Sequence, residues 1–389
     1  MTPDTNLTKK IVVIHIITGL STGGAEMMLY QLLSCTNRKR FEPVVVSLID
    51  RGTLADRIEA LGIPVHTIGI KQGIPTPAGI LRLVNTVRQI NPDVIQGWMY
   101  HGNLAAQLAS IFFTNIKPVL WGIHHSITTL KSEKKMTQVI IKLGAVLSPK
   151  ATKIIFVSKN SKAQHEALSY QVEKNCVIPN GFDTSLFKPS KEARLDLRKE
   201  LGLPERAFLI GLICRYHPMK DHNNFLQAAA LLLKNYPDAY FILAGTEVDK
   251  NNKTLYQLIK DLEIVERVHL LGERSDMYRL TAALDIATSA SAYGEAFPLV
   301  VGEAMSCGVP CVVTDVGDSA WVVSDTGRVV TSRNPQALVE AWQELIVMSL
   351  HDREALGKAA RTRIIENFSL QTIVTLFEDL YESVLECKP

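Results

Sequence analysis

Residues 293–310 read YGEAFPLVVGEAMSCGVP, which sets Glu295 and Glu303 eight positions apart. Eight residues is a little over two helical turns. A helix entered near Pro298 leaves Glu295 in the preceding loop and puts Glu303 inside the first two turns. Proline suits a first turn because its missing N–H is not needed there. The amides that open such a helix lack partners and carry partial positive charge, so they favour an anion. One short segment thus offers amides for a diphosphate and two carboxylates for sugar hydroxyls. Two glutamates at this spacing also occur on ordinary solvated helix faces. The reading therefore rests on Gly294, Pro298, Gly308 and Pro310 around them, and on basic residues elsewhere. Directly afterwards Pro310–Thr314 is a short apolar run that reads as a buried strand.

The same alternation of strand and helix extends outward in both directions. Phe208–Cys214, Tyr240–Ala244, Val268–Leu271 and Asp285–Ser289 precede it as strands. An earlier series comprises Ile11–Ile17, Val44–Ile49, Asp93–Gly97, Val119–Ile123 and Ile154–Ser158, with helical patterns such as Ala25–Cys35 and Ile80–Ile90 between them. Buried runs of this kind suit parallel strands covered by helices on both faces. Two such series predict an α/β protein of two doubly wound, Rossmann-like domains facing across a cleft. The length of 389 residues also suits two domains rather than one core. The break is expected near 180–205, with domains at 1–185 and 186–371. The apolar spacing of Phe368–Leu385 predicts closing helices, the last of which (about 372–389) packs back on the first domain. Val177–Asp183 contains Asn180-Gly181, which reads as a tight turn linking the domains.

Composition narrows the class. Hydrophobic content of 47% and charged content of 21% are those of a globular chain. Its six cysteines are scattered without a C-x2-C pair, which predicts reduced thiols and a cytoplasmic setting. No signal peptide is visible, and no apolar run reaches the ~18 residues needed to span a bilayer. Residues 1–185 carry 20 Lys/Arg against 11 Asp/Glu, whereas residues 186–389 carry 22 against 28. A basic first half suggests an anionic surface or substrate. Within it, residues 130–153 mix six lysines with Ile, Leu and Val, a composition that fits either a membrane face or an ordinary surface helix. No nucleic-acid partner is expected.

Three further segments carry chemistry. Thr18–Glu26 (TGLSTGGAE) is a glycine-rich strand-to-helix loop in which Gly23 and Gly24 permit close backbone approach by an anion or sugar. It is neither G-x-G-x-x-G nor a P-loop, which argues against an NAD enzyme and a P-loop ATPase. Cys214–His222 (CRYHPMKDH) places Arg215 and Lys220 at a strand end, where a forked donor and a point charge could converge on one diphosphate. Val119–Ser126 (VLWGIHHS) puts His124 and His125 at another strand end, where either a structural hydrogen bond or a substrate contact fits.

Assembled in order, GLSTGGAE (19–26), WGIHHS (121–126), IPNGFD (178–183), CRYHPMKDH (214–222), LLGERSDM (270–277) and SAYGEAFPLVVGEAMSCGVPCVVTDVGD (291–318) resemble the retaining glycosyltransferases of family 4, which have the GT-B architecture. The resemblance implies that Arg215 and Lys220 hold the donor diphosphate, Glu303 the ribose hydroxyls and Glu295 the donor sugar. Backbone amides at Phe297, Leu299 and Val300 would bind phosphate or sugar. His124 matches the family's active-site histidine better than His125 does. Gly23 and Gly24 would approach diphosphate and acceptor, and the segment Gly272–Ser275, including Arg274, would lie near the base. Two departures stand out: Glu-Ala-Phe-Pro replaces the usual Glu-Gly-Phe-Gly, and Asp318-Ser-Ala-Trp321 follows Gly317 where relatives often carry Gly-Gly-x-x-Glu.

The expected reaction moves a sugar from a UDP- or GDP-sugar to a saccharide or polyprenyl-linked saccharide, with retention, in cell-surface polysaccharide or glycolipid synthesis. The chain contains no D-x-D triplet, and relatives generally act without metal, so no metal or other cofactor is expected. The expected location is the cytoplasm, with peripheral contact at the inner face of the plasma membrane. The alternatives are a catalytically silent scaffold subunit, which would normally lose the charged donor contacts, and a GT-B epimerase.

Overall fold

The computed structural model describes residues 9–386, apart from Thr22, residues 71–75, Thr114 and Thr128. Cys387 and the last residues of the helix expected over 372–389 lie outside the described residues. The chain divides into two compact units, Met1–Gly181 with Leu370–Pro389, and Phe182–Ser369.

Among the described residues the first unit carries a seven-stranded sheet built from β1 (Ile11–Ile17), β2 (Phe41–Ser47), β3 (Val65–Thr67), β4 (Val94–Trp98), β5 (Val119–Ile123), β6 (Lys153–Phe156) and β7 (Asn175–Val177). All neighbours pair in parallel, in the order β3-β2-β1-β4-β5-β6-β7. Both faces are covered, which is why the strands read as continuous apolar runs. Alternate residues serve opposite cores: Val13 and Ile17 pack with Leu29, Trp98 and Phe377, while Ile14 and Ile16 pack with Trp121, Phe156 and Tyr170. The C-terminal helix Leu370–Glu386 belongs to the first of these cores through Ile373, Val374, Phe377 and Tyr381.

The second unit carries a six-stranded parallel sheet of β8 (Phe208–Ile213), β9 (Ala239–Ala244), β10 (Val268–Leu270), β11 (Ile286–Ser289), β12 (Cys311–Thr314) and β13 (Arg328–Val330). The order is β10-β9-β8-β11-β12-β13, so the winding reverses between β8 and β11. In the first unit the reversal lies between β1 and β4. Loops leaving the carboxyl ends of strands at such reversals form a crevice where ligands bind. Near the start of this unit, buried Arg198 of the helix Lys191–Glu200 donates to Asp285 at 2.7 Å, and Asp285 also accepts from the Leu209 amide at 2.8 Å. That pair fixes the first helix against the entrances of β8 and β11.

The boundaries differ from expectation for a local reason. The Phe182 amide donates to the Phe368 carbonyl at 2.9 Å, and Phe182 bridges Ser369, so both crossings of the chain are pinned to the second unit at 182 and 369. Asn180-Gly181 is not a tight turn. Gly181 keeps a negative-side backbone and is needed for close approach instead, since a Cβ there would meet the Leu370 backbone at 2.9 Å. The turn falls just afterwards, where the Asp183 carboxylate accepts from the Ser185 and Leu186 amides at 3.0 Å each.

Candidate active site

Strand β8 ends at Ile213 and delivers the chain into Cys214–Lys220. There Pro218–Lys220 forms one short helical turn, capped by the His217 ring, which accepts from the Met219 amide at 3.2 Å. The Lys220 amide donates to the His217 carbonyl at 2.9 Å. Asp221 turns into the left-handed region (φ 48°) and caps the helix His222–Leu233 by accepting from the Asn224 amide at 3.2 Å. Lys220 is therefore held from both sides. Strand β11 ends at Ser289, and its following loop is tied to the first by the Ala292 amide, which donates to the Met219 carbonyl at 2.8 Å.

Across this tie the Lys220 ammonium lies 2.6 Å from the Glu295 carboxylate, and the Ser291 hydroxyl donates to the same oxygen at 2.8 Å. The two side chains are only 16% and 12% exposed, so the pair is held where water screens it weakly. Gly317 supports the loop from below. It adopts φ +62°, and a Cβ there would lie 2.0 Å from the Glu295 carbonyl, so only glycine fits. Neither Ser291 nor Gly317 was singled out from the sequence. Ser291, four residues ahead of Glu295 in a strand-end loop, was the available signal.

The helix after this loop runs from Leu299 to Ser306, with Pro298 as its N-cap rather than in its first turn. The amides of Leu299 and Val300 are thus its opening N–H groups, the positions that lack intrahelical acceptors. The Phe297 ring is buried among Phe182, Trp321 and Phe368, which leaves only its backbone for a ligand. Glu303 sits in the second turn, and desolvation pushes its carboxyl up to about 7. A carboxylate in that condition gains from any ligand hydroxyl that donates to it.

Arg215 is exposed, at the mouth of the same loop and one residue beyond Cys214. The structure brings Lys220 and Glu295 into contact but does not draw Arg215 into their pair. Gly272 (φ +66°) makes a structural turn, exchanging backbone bonds with Gly245 and Val248 at 2.8 and 2.9 Å. The Arg274 side chain is engaged elsewhere: it binds Glu200 at 2.6 Å and Asp276 at 2.8 Å, beside Arg279, which contacts the same two acids. Any contact of this segment with a ligand is left to its main chain.

In the first unit, Gly23 is the N-cap of the helix Gly24–Cys35 at the carboxyl end of β1. Both glycines lie outside the left-handed region; the space beside Gly24 is open, whereas a Cβ on Gly23 would run into the Glu26 carboxylate. His124 follows β5. Its ring stacks on Trp98 (centroids 5.0 Å, 22°), Asn180 lies beside it, and burial lowers its pKa to about 4. It is therefore neutral at physiological pH. The Trp98 indole is fixed in turn by donating to His15 at 3.1 Å. His125 is tied to Glu133 at 3.0 Å, which makes it the structural member of the pair. Trp98 and Asn180 were missed as neighbours of His124, because they lie far from it in sequence. Among the described residues no group of three or more His, Cys, Asp or Glu is placed to hold a metal ion.

Comparison with known proteins identifies the family. Residues 22–186 match Glycosyltransferase Family 4, and residues 193–363 match Glycosyl transferases group 1. The chain is 25% identical over 287 residues to the Escherichia coli UDP-Gal:alpha-D-GlcNAc-diphosphoundecaprenol alpha-1,3-galactosyltransferase, covering 72% of this chain and 71% of that one. It is 32% identical over 198 residues, half of either chain, to N-acetyl-alpha-D-glucosaminyl L-malate synthase of Bacillus anthracis. The crystal structure of Anabaena HepE in complex with UDP superposes with a TM-score of 0.83 at 25% identity, over 96% of this chain and 100% of that one. The chain belongs to the GT-B glycosyltransferases of group 1/family 4, enzymes that transfer a sugar from a nucleoside diphosphate sugar to an acceptor.

Proposed function

We propose that this enzyme transfers a sugar from a UDP-sugar, with retention, to a saccharide on a polyprenyl diphosphate or similar lipid carrier, in the assembly of a cell-surface glycan. The observation that carries the reading is the Lys220–Glu295 pair at the carboxyl ends of β8 and β11, beside a helix whose opening amides are free to meet an anion. UDP is favoured over GDP because it is the nucleotide of the similar HepE complex and of the galactosyltransferase donor. The lipid-linked acceptor is supported by the diphosphoundecaprenol in that relative's name and by the basic first half of the chain.

The roles follow from charge. Cleaving the bond between anomeric carbon and phosphate oxygen leaves the electron pair on the diphosphate. Lys220, exposed Arg215 and the amides of Leu299 and Val300 would stabilise that charge. Glu303 would accept from the ribose hydroxyls, and Glu295 would hold the sugar. Its present bond to Lys220 would then be exchanged for bonds to the donor. Neutral His124 is assigned to the transferring sugar as a hydrogen-bonding group, Gly23 and Gly24 to the acceptor side, and the main chain around Gly272 to the base. The acceptor oxygen bonds to the anomeric carbon on the face that the phosphate leaves, and its proton passes to the departing phosphate. No metal is assigned a step. We place the enzyme in the cytoplasm, at the inner membrane face where such acceptors are presented.

A panel of UDP- and GDP-sugars assayed for nucleotide release tests the reading. A UDP-sugar is expected to be cleaved by the native enzyme and not by Glu295→Ala. A protein that neither cleaves nor binds any of these donors would be a scaffold instead.

A further inference from the structure

The loops that leave the carboxyl ends of β8, β11 and β13 border an open cavity of about 350 Å³ within the second unit. Its polar lining comes from Asp221, Asn223, Asn224 and Gln227 at the start of the helix His222–Leu233, from Tyr293 after β11, and from Arg333 after β13. Neither Lys220 nor Glu295 lines it. Strand alternation explains the separation. Ile210 and Leu212 pack with Phe225 of that helix and with Trp342 of the helix Pro335–Val347. Gly211 and Ile213 turn instead towards Val301 and Ala304 of the helix Leu299–Ser306. The cavity therefore stands over the face of the sheet opposite the helix whose opening amides are assigned to the donor. The two regions meet at the bond from the Ala292 amide to the Met219 carbonyl, since Ala292 also lines the cavity.

Asn224 is only 3% exposed, yet neither its amide nitrogen nor its amide oxygen has a partner among the described residues. Buried polar groups are rarely left unmatched, and each such group calls for a partner. The atoms on offer define what that partner is. An amide presents a donor and an acceptor side by side. Asp221 and Arg333 add one charge of each sign. A phosphate only accepts and would meet the Asp221 carboxylate, whereas an ammonium only donates and would meet Arg333. A sugar hydroxyl does both, and two adjacent hydroxyls match the two atoms of an amide. The Tyr293 ring is 37% exposed, with the Arg333 guanidinium 6.0 Å from its centroid, and supplies a flat face for the C–H groups of a pyranose. We propose that this cavity binds a neutral sugar unit of a glycan, at a site separate from that of the reacting donor sugar. Through the Ala292–Met219 bond, a sugar held there braces the two loops that carry Lys220 and Glu295.

Saturation-transfer difference NMR on the full chain in excess UDP tests this, with the methyl α-glycosides of glucose, galactose, mannose and N-acetylglucosamine as probes. At least one is expected to bind. The double substitution Gln227→Ala with Arg333→Ala, at exposed positions, should weaken that binding about fivefold or more and leave the urea unfolding midpoint unchanged. Asn224→Ala should weaken it as well, and the exposed pair keeps the test valid if that buried variant does not fold. The proposal is overturned if no probe binds the native chain, or if the double variant binds as well as the native chain, which would put the sugar elsewhere. It is also overturned if inorganic phosphate at the probe's concentration displaces the sugar, which would mark an anion site. The proposal does not rest on the donor assignment. Nucleotide affinity is read separately by calorimetry, so a failed donor assignment would appear there and not in the sugar signals.

Discussion

The Lys220 ammonium and the Glu295 carboxylate meet at 2.6 Å although 75 positions separate them in the chain. They come from the loops after β8 and β11, the two strands between which the sheet reverses its winding. Each neutralises the other in the absence of a ligand. A nucleoside diphosphate that takes Lys220 would compete with Glu295 for it, and in the proposed reaction the released carboxylate turns to the donor's sugar.

Lys220→Ala should weaken UDP binding by ~1.5–3 kcal/mol, the usual worth of a hydrogen bond to a charged group. Glu295→Gln should behave differently. It releases the lysine from its internal partner, so UDP affinity should hold or rise while sugar transfer falls. Calorimetric titration of both variants distinguishes the roles, and equal losses for the two would mean that the pair is merely structural.

The raised Glu303 carboxyl gives a pH dependence whose sign is fixed. An unfolded glutamate titrates near ~4.3. Between that value and about 7 the folded enzyme holds the proton more tightly, so stability is greatest below the window and declines as pH rises through it. Glu303→Gln should match the native enzyme near the acid end and exceed it in the alkaline range by up to about 4 kcal/mol, the full value of the shift. Urea unfolding at both ends reads this directly. Ribose hydroxyls that donate to the ionised carboxylate would also make UDP bind tighter with rising pH, and that part of the dependence should vanish in the variant.

Asp285→Ala should be strongly destabilising. It leaves Arg198, which is 1% exposed, without its counter-charge, and breaking a buried pair from one side costs about 3–5 kcal/mol. Denaturant unfolding should show the loss. A change within about 0.5 kcal/mol, typical of surface sites, would mean that Arg198 finds another partner or reaches water.

Transfer activity should survive EDTA. Lysine, arginine and helix amides are assigned the charge that a cation would otherwise offset. Strict dependence on added Mg²⁺ or Mn²⁺ would remove that assignment.

How much of this was readable in advance depended on burial and on sequence distance. The longer strands, β1, β2, β8 and β9, announced themselves because both faces are covered. The three-residue edge strands β3, β7 and β13 did not, because none of their residues is buried; β10, equally short and also at an edge, was readable as Val268–Leu271, where Val268 is buried. Lys220, Glu295 and Glu303 were legible as chemistry at strand and helix ends, but the bond from Lys220 to Glu295 was not. Likewise nothing near Arg274 revealed that Glu200, 74 residues away, would engage it. Asn180-Gly181 had the composition of a turn, and tertiary packing against Leu370 overrode it.

A crystal structure of the UDP complex tests the central claim most directly. The account predicts the diphosphate on Lys220 and the Leu299 and Val300 amides, the ribose hydroxyls on Glu303, and Glu295 released from Lys220. UDP bound elsewhere, with the Lys220–Glu295 contact intact, would contradict it.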